Sequence, residues 1–195
     1  MSVLYVVRSR FIDPAREEEW NEWYAGHLDV LLGVPGFLAA QRFHSDSTVD
    51  DRPYLAMYEV AGPEVFTSEP YLAIWGFDEW RPLIDNWTRD IFGSRGRGLG
   101  FGTPRGEWLH AAFVSGPGAA VDEALAVLES ERPSLRSAAV CGLDRSCQAV
   151  AWEPAAAADG PAGFDLPPVV QLAEAAYQPI TDHLTEPARP PAVSP

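Results

Sequence analysis

The feature that most limits the folds open to this chain is an order of elements that comes round twice. Residues 3 to 8, VLYVVR, are β-branched and aromatic and suit a strand. Asp13 followed by Pro14 is a helix start, with an N-cap and a proline in the first turn. PGFLAAQRFH and RPYLAMYEV then alternate as two strands around the polar turn HSDSTVDD. Residues 66 to 75 suit a short helix, and Asp78 opens a second one with Trp80, Leu83, Ile84, Trp87 and Ile91 on one face. Beyond the glycine- and arginine-rich GSRGRGLGFGTPRG the order repeats. EWLHAAFVS is a strand, GAAVDEALAVLESER is a helix presenting Val121, Ala124, Leu125 and Leu128, and SLRSAAVCGL pairs with CQAVAWEP as a hairpin. VVQLAEAAYQPI closes the series as a strand, with a short helix over 169–177 as the open alternative.

A sheet with helices on one face leaves its other face in need of cover, and two such units in one chain can cover each other. The expected fold is therefore α+β, with two tandem ferredoxin-like (β-α-β-β-α-β) halves packed sheet to sheet as an intrachain barrel. The halves are residues 1–92 and 107–182, the second with a reduced final helix. Residues 93–106 form a connector and residues 183–195 a proline-rich tail. Homodimerisation through another surface remains open.

Charge and residue usage remove several functions. A net charge of −14 opposes binding to nucleic-acid phosphates or to an anionic membrane. All 14 basic residues are arginine, so no lysine Schiff base is available. The N-terminus MSVLYVVRSR lacks the basic segment and long apolar core of a signal peptide, and no run approaches a spanning helix, so a cytoplasmic location is expected. Cys141 and Cys147 are expected to be free thiols in such a compartment. Neither G-x-S-x-G nor HExxH occurs, and the glycines of 93–106 do not match G-x-G-x-x-G, so no nucleophile elbow, metal or dinucleotide site is expected.

The first helix carries the main candidate for chemistry. Trp20, Trp23, Tyr24, His27 and Leu31 recur at helical spacing opposite Glu18, Glu22 and Asp29, which places His27 near the centre of an apolar stripe. Burial there favours the neutral ring, which can take up a proton near neutral pH. The plainer alternative is a core histidine bonded to a backbone carbonyl. Residues 17–43, EEEWNEWYAGHLDVLLGVPGFLAAQRF, resemble members of the dimeric α+β barrel superfamily whose first helix runs W/F-N-x-W-Y-x-x-H and continues through L-L-x-V-P-G-F. The likeness is close over these 27 residues and extends in element order to about residue 90. Members often carry an acidic pair where this chain has Ala25-Gly26.

That resemblance implies a small-molecule pocket between sheet and helices or inside the barrel. Its members include cofactor-independent cyclases, lactone isomerases, decarboxylases and oxygenases of polyketide and aromatic metabolism, and also haem proteins. By strand alternation Trp108 and His110 share a face, expected to be the barrel interior, while Leu109, Ala111 and Phe113 face the helices. Tyr54 and Tyr58 share a face, as do Phe37, Gln41 and Phe43; Arg42, His44 and His183 are expected in solvent. The leading expectation is a cofactor-free lyase, isomerase or cyclase doing proton transfer on a hydrophobic, aromatic or polyketide-like substrate. His27, His110 and Tyr58 are its catalytic candidates, and Trp23, Tyr24, Phe37, Gln41, Tyr54 and Trp108 would line the site. A cofactor-free monooxygenase in the same pocket is the nearest alternative. A haem or ligand carrier, or a scaffold with a filled pocket, would involve no turnover; no Soret band is expected.

Overall fold

A computed structural model describes residues 1–46, 51–158 and 168–186. The strands are β1 (Val3–Phe11), β2 (Phe37–His44), β3 (Tyr54–Val60), β4 (Ile84–Ser94), β5 (Trp108–Ser115), β6 (Arg136–Leu143), β7 (Ala149–Ala155), β8 (Gln171–Pro179) and the short β9 (Leu184–Thr185). The helices are α1 (Glu17–Leu32), the single turn α2 (Glu69–Leu72) and α3 (Gly118–Glu131). The Asp13 side chain accepts from the Ala15 amide and starts a short 3-10 turn that runs into α1, as the Asp-Pro pair predicts.

In the first half the strand order is β4-β1-β3-β2, and in the second β6-β7-β5-β8. β4 pairs with β6 and β2 with β8, so eight antiparallel strands close into a barrel within the one chain, and β9 adds to β2. Closure removes the exposed edges that either half alone would leave.

Alternation along each strand sorts side chains between the barrel interior and the helix-covered outside. Leu4, Phe43, Met57, Phe92, Leu109 and Trp152 fill the interior. Leu99 and Phe101 are packed among them, so the expected connector contributes to the core, and the expected boundary at residue 92 falls inside β4. Outside the first half, α1 buries Trp20, Tyr24, Leu28 and Leu31 against Tyr5, Val7, Ala56 and Tyr58. Outside the second, α3 buries Val121, Ala124, Leu125 and Leu128 against Val114 and Ala149.

The helix expected after Asp78 is not formed. Residues Asp78–Leu83 make a 3-10 stretch containing Pro82, and Ile84 begins β4. The apolar spacing suits a helix, yet Pro82 forbids a continuous one and β1 has an open edge for which β4 supplies partners from Gly93 to Ile84. The closing strand over 171–179 forms, and the alternative helix there does not. Cys141 is exposed, Cys147 is buried, and both are free. No described helix is long and apolar enough to cross a membrane. Residues 183–186 of the expected tail include β9, and 187–195 lie outside the described residues.

Candidate functional site

The expected catalytic residues divide between two places outside the barrel, one over each half. His27 and Tyr58 lie with Tyr5, Tyr24, Tyr71 and Arg89 around a cleft of about 30 Å³ between α1, the sheet and the 63–83 segment. His110 and Trp108 line a cavity of about 510 Å³ beneath α3. The two linings share no described residue.

His27 stands at the flank of the buried stripe, whose centre is Tyr24 and Leu28. Its ring stacks on Trp23 with centroids 4.8 Å apart, and among the described residues neither nitrogen meets a hydrogen-bond partner. The core histidine bonded to a backbone carbonyl is thus not what forms. Burial lowers its pKa, partly opposed by the nearby Asp78 carboxylate, so the neutral ring is favoured. Burial likewise raises the phenols of Tyr24 and Tyr58, whose hydroxyls are 3.5 Å apart. The void itself holds about one water molecule, since a water occupies roughly 30 Å³ of liquid volume.

Arg42, expected in solvent, is 1% exposed and lies under α1. Its guanidinium carbon sits 4.2 Å from the ring centroids of Trp20 and Tyr24 and 4.6 Å from that of Tyr54. One terminal nitrogen donates to Asn21 at 2.7 Å, and the other two guanidinium nitrogens have no hydrogen-bond partner. Tyr54 donates to Glu17, so this candidate serves the anchorage of α1. Phe37, Gln41 and Phe43 do not share a face, because the register shifts between Phe37 and Ala39. Phe37 stays with Tyr5 and Tyr58 outside the barrel, whereas Phe43 turns inward. The buried Gln41 amide is consumed by the Thr103 and Thr181 carbonyls and the Thr103 N–H.

The cavity under α3 is built by an inversion of the expected faces. Leu109, Ala111 and Phe113 point into the barrel, and His110 and Ala112 point out toward α3 with Trp108. Alternation defines the two sets, and the barrel interior, walled by sheet on every side, takes the more aliphatic one. Register then places Glu153 directly opposite His110 and Glu174 opposite Ala112. Arg132, at the C-terminal end of α3, closes the group with a 2.5 Å ion pair to Glu153, both side chains 11% exposed. Ser134 donates to the other Glu153 oxygen.

His110 Nε2 lies 2.9 Å from the Ala157 carbonyl, which can only accept, so Nε2 carries the proton. Nδ1 then presents its lone pair toward an Arg132 nitrogen 3.5 Å away. Glu174 lines the cavity half-buried, and burial raises its carboxyl pKa against the lowering effect of Arg132 and His110. A carboxylate so placed can take a proton, and the guanidinium beside it can steady developing negative charge. Ala112 and Ala151 beside Glu174 on the sheet, with Leu128 and Leu135, make much of the remaining lining apolar.

Sequence reasoning missed Arg132, Glu153 and Glu174. The signals were present: Glu174 is the lone charge in VVQLAEAAYQPI, and Glu153 shares its strand face with Ala149 and Ala151. Among the described residues no group of three His, Cys, Asp or Glu side chains could hold a metal ion.

No family model matches the sequence, and no curated protein matches it. Solved structures do resemble the fold. An anthrone oxidase-like protein superposes with a TM-score of 0.65 at 10% identity, covering 95% of this chain and 93% of its own. A protein assigned as a monooxygenase from Lactobacillus acidophilus gives 0.58 at 9% identity, covering 95% and 97%. Another from Fusobacterium nucleatum gives 0.59 at 9%, covering 95% and 94%. At these identities the likeness is one of fold.

Proposed function

We propose that the chain is a cofactor-free enzyme of the dimeric α+β barrel superfamily, its two ferredoxin-like halves arisen in tandem, that removes a proton from a hydrophobic, aromatic or polyketide-like substrate. The observation that carries this reading is the 510 Å³ cavity, the size of small-molecule sites, with Glu174 in an otherwise largely apolar wall. Glu174 is the base, Arg132 faces the oxygen on which charge accumulates, and Trp108 supports the ring system. His110, with both nitrogens engaged, positions Arg132.

The carbanion so formed has two fates. Reprotonation or internal attack gives isomerisation or cyclisation. Reaction with dioxygen converts a CH₂ group into a carbonyl, one oxygen atom entering the product and the other leaving as water with the two hydrogens. The names of the fold neighbours, anthrone oxidase-like and monooxygenase, favour the second fate. The test is deuterium exchange into the acidic CH₂ of anthrone, followed with and without air. The expected result is exchange above the buffer rate without air, reduced about 10²- to 10⁴-fold in Glu174→Gln, and oxygen uptake with air. Exchange that is absent, or unchanged in Glu174→Gln, would overturn the reading.

His27 supports a second reading, because its unpartnered, neutral ring faces the cleft shared with Tyr58, Tyr24 and Arg89. As that void admits about one water, the 63–83 segment would have to move before a larger substrate could enter. If His27→Gln rather than Glu174→Gln abolishes the exchange, the chemistry belongs over the first half. Haem fits neither place: both His110 nitrogens are occupied, and the His27 cleft is far smaller than a porphyrin. The purified protein is expected to show no Soret band.

A further inference from the structure

The charges around the α3 cavity do not balance, and the imbalance selects a ligand. Among the described residues of the lining Arg132 is the one arginine, and it pairs with Glu153 at 2.5 Å, both side chains nearly buried. The second Glu153 oxygen is held by Ser134. The Ala157 carbonyl accepts from His110 Nε2, and His110 Nδ1 is turned to Arg132. Among the described residues Arg132 therefore serves two carboxylates, Glu153 and the Glu174 inside the cavity, and the exposed Asp46 at the mouth has only His44 beside it, so the carboxylates outnumber the arginine.

Resting on the assignment of this cavity as the substrate site, we propose that it takes ring compounds bearing a cationic nitrogen in preference to neutral ones, and excludes carboxylates of the same shape. An ammonium group gains the Glu174 carboxylate directly, and Trp108 in the same lining is an aromatic ring of the kind that favours cations. A neutral hydroxyl can donate to Glu174 with less gain. An entering carboxylate has no vacant cation to meet: it must force a proton onto Glu174, or draw Arg132 from Glu153 and leave a buried charge unpaired. The raised carboxyl pKa of Glu174 accords with this, because an approaching cation would bring it back down.

The experiment compares 1-naphthylmethylamine, 1-naphthylmethanol and 1-naphthoate as probes on the full chain by calorimetry at pH 7.5, in low salt and in 150 mM salt. The expected order is ammonium, alcohol, carboxylate, with about tenfold between the first two and no measurable binding of the third. In Glu174→Gln the ammonium should lose its advantage over the alcohol, with cooperative thermal unfolding showing that the variant is folded. Ala112→Trp, which fills the cavity, should abolish binding of both. Naphthoate binding as well as the amine overturns the proposal, as does an ammonium advantage that survives Glu174→Gln and therefore reflects only the acidic surface. If the alcohol binds normally but the amine gains nothing, the selectivity fails and the cavity assignment stands. If no probe binds, or Ala112→Trp leaves binding intact, the assignment falls and the selectivity with it.

Discussion

Replacing Glu153 by glutamine keeps the side-chain shape and removes the charge that Arg132 requires. Arg132 and Glu153 are each 11% exposed and 2.5 Å apart, which makes theirs the most buried ion pair over the second half among the described residues. Removing one partner of a buried pair costs about 3–5 kcal/mol, because the survivor stays desolvated and uncompensated. Here Arg132 would still have Glu174 and the His110 lone pair nearby, so the expected loss is smaller, about 2–3 kcal/mol. For a domain of this size that corresponds to a fall in Tm of roughly 4–12 °C. Urea unfolding at pH 7 gives the free energy directly, and the pair Arg132→Met with Glu153→Leu closes the cycle. The double variant should lie within about 1 kcal/mol of the native protein, since an apolar pair of similar volume avoids the desolvation penalty. Glu153→Gln should also allow 1-naphthoate to bind, because Arg132 then serves one carboxylate fewer. A Tm within about 1 °C of the native value, or a double variant as unstable as the sum of the singles, would refute this account of the pair.

His27→Gln should leave Tm within about 2 °C of the native value in calorimetry at pH 7.5, because the ring makes no hydrogen bond to lose and retains only its stacking on Trp23. His27, His44 and His183 all have pKa values lowered by burial, so the unfolded chain binds protons more readily than the folded one. Their cost is absent above about pH 6.5 and grows as pH falls through that value, so stability should drop on acidification, and His27→Gln should flatten part of the slope. Glu174 has the opposite linkage: its raised pKa means that stability is lost as pH rises through the ordinary carboxylate range, so Glu174→Gln should raise Tm at pH 7 and leave it unchanged near pH 3. Cleavage between Arg105 and Gly106 should give fragments that stay bound on size exclusion, because β4–β6 and β2–β8 pairing and the buried Phe101 join the halves. A stable homodimer of residues 1–92 alone would contradict this.

The elements legible in the sequence are those in which local pattern and tertiary environment agree. The Asp13-Pro14 start of α1, the hairpin β2–β3, the amphipathic α3 and the closing β8 all follow from spacing and turn chemistry. β4 was hidden because its apolar residues also fit a helical period; Pro82 argues against the helix, and the open edge of β1 supplies the strand's partners. The pairing of candidate residues along one strand was equally legible: Trp108 and His110 do share a face. Which side of the sheet that face takes was not, because alternation is symmetric until the barrel closes and one side becomes the driest place in the protein. The same holds for Arg42, which looks solvent-bound at a strand end and lies beneath α1 among three aromatic rings. His27 was visible as an unusual residue on its helix, but the volume left beside it depends on how the 63–83 segment packs over the tyrosines. The charge cluster under α3 joins His110, Arg132, Glu153 and Glu174 from four elements that meet only through strand register and the placing of one helix end, and no local periodicity encodes that meeting.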